Sequence, residues 1–254
     1  MIDIHCHLLP GLDDGPPDDE SALALARACV ADGISHAVST PHVFPGRYDN
    51  GCENIRAAHA RFAALLAEAQ IPLQLSWAGE VRLTPEVLDL LPHHELPFVG
   101  QVGAARTLLL EMPDGQIPLG ALNFVRRLLA QHIRPIIVHP DRNRGVMERP
   151  DRLLDFVEAG CFVQLTAGSL VGLFGAKAQA TAITLLDRQW VHAIASDAHN
   201  LTGRAPRMQE ARKWLLENHG PEVAHRLTVS GPALLCQGND KVNAGPAAVR
   251  GSGA

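Results

Sequence analysis

The sequence predicts an α/β fold in which the strands form a parallel sheet or barrel. Short apolar runs alternate along the chain with longer segments of helical period, and this alternation is typical of βα units. A hydrophobic content of 46% and a charged content of 19% are ordinary for a globular protein with a sizeable core. No repeat or composition break appears in residues 1–237, so we expect a single domain there, as in many α/β barrels of this length.

The N-terminal half contains three strand-type runs, each followed by a segment of helical character. The runs lie at residues 3–7, 34–40 and 73–78. Two helices are expected from apolar residues spaced three or four apart, one from Ala22 to Val30 and one from Ile55 to Ala69. Acidic residues at 18–20 would favour the first helix N-terminus, and Gly33 would end that segment. Thr84 before Pro85 is typical of the start of a short helix.

The C-terminal half continues the same alternation. Strands are expected at residues 107–110, 135–138, 161–166 and 192–195, and helices at 117–131, 150–159, 176–189, 206–218 and 221–228. From Gly238 the chain is rich in Gly, Ala and Ser and has no pattern, so we expect residues 238–254 to be a disordered tail.

Charge and cysteine content exclude several classes of protein. The net charge is −5 and no basic cluster occurs, so a nucleic acid is not the expected partner. No apolar run approaches the 18 residues or so of a membrane span, so we expect no direct membrane insertion. The five cysteines are an odd number, widely spaced and without a Cys-x-x-Cys pair, which favours reduced thiols in the cytoplasm.

Two histidines share one face of the first strand. Side chains alternate along a strand, so His5 and His7 point the same way, while Cys6 points into the core. Asp14 follows in a loop rich in Pro and Gly, close enough to add a carboxylate. With 13 histidines in the chain, a His-x-His pair also arises by chance, so the pair needs support from other residues.

That support comes from the ends of the other strands. Nine residues of metal-ligand type occur at strand ends or in the first loop: His5, His7, Asp14, His42, Glu80, Glu111, His139, Asp197 and His199. Each one has an ordinary explanation, but the C-terminal strand ends of a barrel converge on one mouth, where nine such residues would need cations. Nine exceed what one ion needs, and imidazole with carboxylate suits Mn, Fe or Zn. The sequence therefore predicts a polynuclear metal site.

Two arginines point to an anionic substrate. Arg142 and Arg204 follow His139 and His199 closely, and guanidinium groups match the oxygens of a phosphate. Clustered divalent ions lower the pKa of a bound water, so a metal-bound hydroxide could attack the phosphate in line. His42 or His199 could assist the leaving group.

No cysteine is followed by an arginine six residues later, and Gly-x-Ser-x-Gly is missing from the sequence, so neither a thiol phosphatase nor a serine hydrolase is indicated.

Several motifs occur in the order known from one protein family. They are Met1–His7 with Gly11–Gly15, Thr40–His42, Gly79–Arg82, Leu110–Pro113, His139–Arg142, Gln164–Leu170 and Ser196–Asn200 followed by Arg204. These residues resemble the polymerase and histidinol phosphatase (PHP) superfamily. Within it, residues 1–237 are most similar to the bacterial manganese-dependent protein tyrosine phosphatases of the CpsB/CapC type, from capsule and exopolysaccharide operons.

The resemblance implies a distorted (β/α)7 barrel of the PHP type, with its active site at the C-terminal strand ends. It implies three divalent ions, with Mn²⁺ favoured and Fe or Zn as alternatives. In that arrangement His5, His7, Glu80 and Asp197 lie near one ion, Glu80, Glu111 and His139 near a second, and Asp14, His42 and His199 near a third. Arg142 and Arg204 match the arginines that contact phosphate in the family.

The resemblance also implies a partner and a place of action. The substrate would be the phosphotyrosine tail of a membrane-associated bacterial tyrosine kinase, which would bring a cytoplasmic enzyme to the inner face of the membrane. The sequence leaves the oligomeric state open. The alternative within the superfamily is a histidinol-phosphate phosphatase, and the alternative from another class is a non-catalytic metal-binding domain.

Two departures from the family pattern are visible. Val43 stands where a second histidine is common, and Asp141 replaces a glutamate next to Arg142. Neither change removes one of the nine ligand-type residues. The loop 43–52, which carries Phe44 and Tyr48, is either a contact at the rim of the site or only a connection.

Overall fold

The computed structural model describes residues 1–87 and 96–243. Its strands are β1 (Ile2–Cys6), β2 (His36–Ser39), β3 (His42–Val43), β4 (Gln74–Trp77), β5 (Glu80–Arg82), β6 (Gly100–Val102), β7 (Ala105–Glu111), β8 (Ile133–Val138), β9 (Phe162–Thr166) and β10 (Ala193–Ala195). Every strand pairs in parallel with its neighbours except β6, which runs antiparallel to β7. The expected α/β fold with parallel strands is therefore confirmed.

Helices follow most of the strands. They are α1 (Asp19–Ala31), α2 (Cys52–Glu68), α3 (Ala121–Ala130), α4 (Arg144–Glu148), α5 (Leu154–Glu158), α6 (Ala167–Leu170), α7 (Ala176–Asp187), α8 (Met208–His225), α9 (Gly231–Leu235) and α10 (Asn239–Val242). Gly220 interrupts α8 with a φ of 81°, so this segment is the pair of helices expected at 206–218 and 221–228. The helix expected to begin near Thr84 would lie mostly outside the described residues.

Helix α1 illustrates how the sequence sets an element and its packing. Asp18 is the N-cap, and its side chain accepts a hydrogen bond of 2.8 Å from the backbone N–H of Ser21. The helix then buries Ala22, Leu25 and Cys29 on one face, as their spacing predicts. Gly33 follows with a φ of 84°, a conformation that favours glycine and turns the chain towards β2.

The strands form two hydrogen-bonded sheets. One has the order β1-β2-β4, and the other has the order β10-β9-β8-β7-β5-β3 with β6 beside β7. Pro41, which has no N–H, separates β2 from β3, and Gly79 separates β4 from β5. Backbone hydrogen bonds from Ala78 to Ser39 (2.9 Å) and from Glu80 to Pro41 (3.1 Å) continue the pairing through this interruption. A single closed sheet is not seen among the described residues.

The first strand lies beside the last one at their C-terminal ends. Cys6 forms an isolated parallel bridge with Ala198. The N–H of Asp197 donates to the carbonyl of His5 at 2.8 Å, and the N–H of His7 donates to the carbonyl of Ala198 at 2.9 Å. Strand β1 and the segment after β10 therefore meet beside the first histidine pair.

The expected tail boundary at residue 237 is too early, which corrects our prediction. Residues 238–243 pack against the sheets, and α10 lies within them. The Asn239 amide donates to the carbonyls of Trp77 and Val99 at 2.8 Å each, and the Asn243 amide donates to the carbonyl of Phe98 at 2.8 Å. These hydrogen bonds satisfy buried carbonyls, and the polar composition of this segment concealed their role. The remaining tail, 244–254, lies outside the described residues.

No helix in residues 1–87 or 96–243 is long and apolar enough to cross a membrane. The hydrophobic core lies between the strands and the helices, and Phe62, Leu108 and Leu128 are among its largest fully buried side chains.

Candidate metal centre

The structure brings all nine ligand-type residues to one end of the parallel strands. Eight of them lie at or just beyond strand ends, and Asp14 reaches the same place from the first loop. Three groups have ligand atoms within 4.8 Å of one another: His5, His7 and Glu80; His42, Glu80 and Glu111; and His7, Asp14, His42 and His199. Glu80, His7 and His42 each belong to two groups, so the groups form one continuous cluster.

Contacts at Nδ1 orient the two histidines of β1. His5 and His7 point the same way and their Nε2 atoms lie 3.4 Å apart. His5 Nδ1 lies 3.0 Å from Gln164 Oε1, and His7 Nδ1 lies 2.6 Å from Asp13 Oδ2. Hydrogen bonds at Nδ1 fix the tautomer and leave Nε2 as an acceptor, which is the arrangement common in metal-bound histidine.

Glu80 lies at the centre of the cluster. Its Oε2 is 3.2 Å from His5 Nε2, 3.3 Å from His7 Nε2 and 3.0 Å from His42 Nδ1. Its Oε1 is 2.7 Å from His139 Nε2. The side chain is almost completely buried. A carboxylate that faces four imidazoles in this way can bridge two ions.

Asp14 and His199 complete the cluster on its open side. Asp14 Oδ1 is 3.4 Å from both His42 Nε2 and His199 Nε2. The rings of His7 and His199 have centroids 3.7 Å apart. Asp14 is 46% exposed, whereas His199 is buried, so this carboxylate is the one closest to solvent.

Asp197 connects the cluster to the two arginines. Its Oδ1 lies 3.5 Å from His5 Nε2, and its Oδ2 accepts hydrogen bonds from Arg204 at 2.6 Å and from Arg142. Asp197 and His139 both have positive φ angles, 52° and 33°. Such backbone strain in residues other than glycine is concentrated at functional sites.

Charges in the cluster shift the pKa values of its members in opposite directions. Burial and the nearby Arg142 lower the pKa of His139 to about 4, and burial and the nearby His7 lower that of His199 to about 4. Burial opposes ionisation of Glu80, but the surrounding His5 and His42 hold its pKa well below the usual range. Glu111 has a pKa raised to about 7 by burial and by the charge of Glu80. His139 and His199 are therefore neutral imidazoles beside the ionised Glu80, which are the protonation states that bind divalent ions. Burial lowers the pKa of His7 and His42, but Asp13 raises that of His7 to about 9 and Glu80 raises that of His42 to about 11, so these two imidazoles would each lose a proton when a divalent ion binds.

The contacts within the cluster indicate that cations belong there. Among the described residues, several buried atoms have no hydrogen-bond partner although they approach each other closely: Glu80 Oε2, Asp197 Oδ1, His42 Nδ1 and His199 Nε2. Buried polar atoms are usually hydrogen-bonded, and atoms left unpaired around a common point are typical of an ion-binding site. The donor set of imidazole and carboxylate fits Mn, Fe or Zn.

Sequence reasoning missed three residues that support the cluster. Asp13 accepts hydrogen bonds from His7 and from the N–H of His42. Arg82 forms an ion pair of 2.7 Å with Glu111. Asp3 accepts a hydrogen bond of 2.5 Å from Ser196, which holds the 196–199 segment against β1. A signal for Arg82 was present, because it lies two positions after Glu80 in a strand and therefore shares its face.

Asn200 shapes the turn that carries Arg204. Its Oδ1 accepts hydrogen bonds from the backbone N–H groups of Thr202 (3.1 Å), Gly203 (2.8 Å) and Arg204 (3.1 Å). The carbonyl of Arg204 in turn accepts from the N–H of His199 at 2.9 Å. The turn therefore returns the guanidinium to Asp197 only five residues after His199.

Comparison with known proteins identifies relatives over nearly the whole chain. The family described as "Capsular polysaccharide synthesis, CpsB/CapC" matches residues 1–237. The tyrosine-protein phosphatase YwqE of Bacillus subtilis is 36% identical over 235 residues, which are 92% of this chain and 91% of that protein. The tyrosine-protein phosphatase CpsB of Streptococcus pneumoniae is 30% identical over 244 residues, which are 92% of this chain and 98% of that protein.

Solved structures agree with these relatives. A crystal structure from work on YwqE of Bacillus subtilis and CpsB of Streptococcus pneumoniae, described as unique metal-dependent tyrosine phosphatases, has a TM-score of 0.86 at 36% identity. The match covers 93% of this chain and 95% of that one. The phosphotriesterase homology protein from Escherichia coli, in complex with phosphate, has a TM-score of 0.61 at 12% identity, which is a likeness of fold alone.

Proposed function

This chain belongs to the CpsB/CapC family of capsular polysaccharide synthesis proteins, and we propose that it is a metal-dependent protein tyrosine phosphatase. The observation that carries the proposal is the cluster around Glu80, in which imidazoles and carboxylates meet with unpaired buried atoms. Two arginines beside this cluster supply the positive charge that a phosphate monoester needs.

We propose three divalent ions, with Mn²⁺ favoured and Fe or Zn as alternatives. His5, His7, Glu80 and Asp197 would hold the first ion; Glu80, Glu111 and His139 the second; and Asp14, His42 and His199 the third. The three groups of converging ligand atoms support this division in part. They differ from it because Asp197 is not in the first group, His42 replaces His139 beside Glu80 and Glu111, and His7 joins the third group. Bound divalent ions would supply an activated water and a positive charge for the phosphate oxygens.

Side chains of the protein would bind the phosphate and protonate the leaving group. Arg142 and Arg204 would bind two phosphate oxygens and stabilise the charge that spreads over them in the transition state. His42, which Glu80 keeps protonated despite burial, would donate a proton to the leaving oxygen when it is not engaged as a ligand. His199 was the other candidate for this role, but burial and His7 lower its pKa to about 4, so it would act as a neutral ligand. A phenolate leaving group has a pKa of about 10, so it requires only modest assistance.

The strand pairing supports a distorted (β/α)7 barrel. The β2–β4 pairing continues into the β3–β5 pairing on either side of Pro41 and Gly79. Cys6 and Ala198 connect β1 to the segment after β10. Counting each interrupted pair as one strand, seven parallel strands would surround the core, with the metal centre at their C-terminal ends.

We further propose that the substrate is a phosphotyrosine tail of a membrane-associated tyrosine kinase in capsule or exopolysaccharide synthesis. The family description supports the connection to capsule synthesis. The odd number and wide spacing of the five cysteines support a reducing compartment such as the cytoplasm. The kinase would then bring the enzyme to the inner face of the membrane.

A comparison of two substrates on purified protein tests the function. We expect kcat/KM to be higher for a phosphotyrosine peptide than for histidinol phosphate under the same Mn²⁺ concentration, because the relatives are tyrosine phosphatases. Steady-state release of inorganic phosphate measures both reactions. A clear preference for histidinol phosphate would instead assign the chain to the alternative activity.

Thiol reagents should leave the activity intact. Burial raises the pKa of Cys161 to about 12 and that of Cys236 to about 11, and Cys6 is raised well above its usual range, also by burial. No thiolate is therefore available at neutral pH to act as a nucleophile from these positions. Protein treated with iodoacetamide should retain its phosphatase activity, measured beside an untreated sample with the same metal content. Loss of activity in proportion to alkylation would contradict the metal-dependent mechanism.

A further inference from the structure

The pocket above the metal centre has an apolar wall that phosphate hydrolysis itself does not require. The pocket has a volume of about 320 Å³ and extends from Glu80, Arg142 and Arg204 outwards. Its apolar lining includes Phe44, Tyr48, Met112, Ile117, Val146 and Leu153. A site that served any phosphate monoester would need only the charged end, so the apolar wall points to the group that the phosphate carries.

A short hairpin presents the two aromatic rings of this wall. Phe44 and Tyr48 pair with each other through backbone hydrogen bonds of 3.0 Å and 2.8 Å. Gly46 turns the chain between them with a φ of 82°. The Asn50 amide donates to the carbonyls of Leu12 and His42 at 2.9 Å and 2.8 Å, which fixes the hairpin to the first loop and to β3.

Each ring is also connected to a residue of the metal cluster. The ring of Tyr48 stacks on His42 with centroids 5.4 Å apart and planes inclined by only 10°. The guanidinium of Arg82 lies over Phe44 at 5.4 Å, and the same guanidinium forms an ion pair of 2.7 Å with Glu111. The rings therefore lie next to the ligands, at a place that the group esterified to a bound phosphate would reach.

We propose that Phe44 and Tyr48 form an aryl subsite that selects the phenyl ring of phosphotyrosine over the aliphatic groups of phosphoserine and phosphothreonine. This inference rests on the proposed function and adds its specificity determinant. Both side chains are half-buried, so each ring keeps an open area that a phenyl group can cover. Aromatic rings in contact gain free energy beyond the burial of apolar area, whereas a short aliphatic chain gains little from such a wall.

Alanine substitution of either aromatic residue should lower activity on an aryl phosphate and leave activity on an alkyl phosphate unchanged. Tyr48→Ala and Phe44→Ala should each lower kcat/KM for phosphotyrosine by about 10-fold, while activity on phosphoserine stays at its wild-type level. Tyr48→Phe keeps the ring and should keep the wild-type preference. The control is Leu119→Ala, which removes a fully exposed apolar side chain from the neighbouring groove and should change neither substrate.

Binding of non-hydrolysable ligands provides a second measurement that is independent of the chemical step. We expect phenylphosphonate to bind to the wild type more tightly than methylphosphonate in calorimetric titrations, and we expect this difference to disappear in the Tyr48→Ala and Phe44→Ala variants. Metal content is determined for every sample, since Tyr48 also contacts His42.

The outcomes distinguish the subsite from the function on which it rests. Wild-type protein that fails to hydrolyse phosphotyrosine would refute the proposed function. If the wild type is active but the variants lose aryl and alkyl ligands equally, the subsite is refuted and the function stands. A loss of metal that accounts for the whole effect would make Tyr48 a support for His42, and this too would overturn the assignment.

Discussion

A Glu80→Ala variant should have no more phosphatase activity than wild-type protein whose metal has been removed by a chelator. The Glu80 carboxylate lies within 3.3 Å of four histidines, so its loss removes a ligand from two groups at once. We expect the loss of activity to exceed the roughly 10²–10³-fold effect of removing one electrostatic contact. Bound metal, measured by atomic emission after dialysis, should decrease in the same sample. Adding Mn²⁺ back should restore the chelated wild type but not the variant.

Two further variants make this result interpretable. Glu80→Gln keeps the shape of the side chain and should lose metal in the same way, because an amide is a weaker ligand than a carboxylate. Glu68→Ala changes an exposed glutamate on α2 and should retain both metal and activity. A Glu80→Ala protein that retained wild-type metal content and activity would remove Glu80 from the proposed site.

Arg204→Ala should lower kcat/KM by about 10²–10³-fold while metal content and the unfolding temperature stay near wild type. Arginine is permanently protonated and cannot bind a cation, so we propose that Arg204, which pairs with Asp197, brings positive charge to the substrate phosphate. Arg142→Ala should behave similarly, since its guanidinium also contacts Asp197. Kinetics on an aryl phosphate, together with metal analysis of the same preparation, measure both effects.

Arg207→Ala is the matched control for the arginines. It follows Arg204 by three residues but pairs with Glu210 at 2.5 Å, away from the cluster, and its loss should leave kcat/KM unchanged. Should Arg204→Ala lose metal while its activity per bound metal stays constant, then Arg204 would act by holding Asp197 in place and not by binding substrate.

The proximity of the nine ligand-type residues could be predicted from their chemical type and from their positions at strand ends. In parallel strands, the residues at the C-terminal ends share one side of the fold, so His42, Glu80 and Glu111 were expected to be neighbours. Because side chains alternate between the two faces of a strand, His5 and His7 were also expected to lie on one face. These predictions depend only on local pattern and on the general geometry of α/β folds.

Contacts that depend on non-local geometry were not predictable. Asp14 was named from the sequence and does face the cluster, but the role of the adjacent Asp13, whose carboxylate accepts a hydrogen bond from His7 Nδ1, was not predictable. Gln164 was noted as part of a motif, but its contact with His5 bridges residues far apart in the chain. The antiparallel strand β6 was also missed, because its three residues are too few to show a period.

Short helices and the chain end show the limit of composition as a guide. Helices α4 and α6 have only five and four residues, less than two turns, so no helical period can be recognised in them. Asn239 and Asn243 lie in a segment whose residue types are typical of disorder, yet their amides satisfy carbonyls of the sheets. The partners of these amides are set by the tertiary structure.

The meeting of β1 with the segment after β10 has a consequence for the synthesis of the protein. His5 precedes Asp197 by 192 residues and Arg204 by 199 residues, so it leaves the ribosome well before them. Contacts of such high sequence separation form late, because the loop between them must be closed first. A nascent or truncated chain that ends before residue 197 therefore lacks the Asp197 carboxylate, Arg204 and the segment that pairs with β1 on the side away from β2. The metal centre can therefore be completed only after residue 197 has been made, so chains that end before it should carry no phosphatase activity.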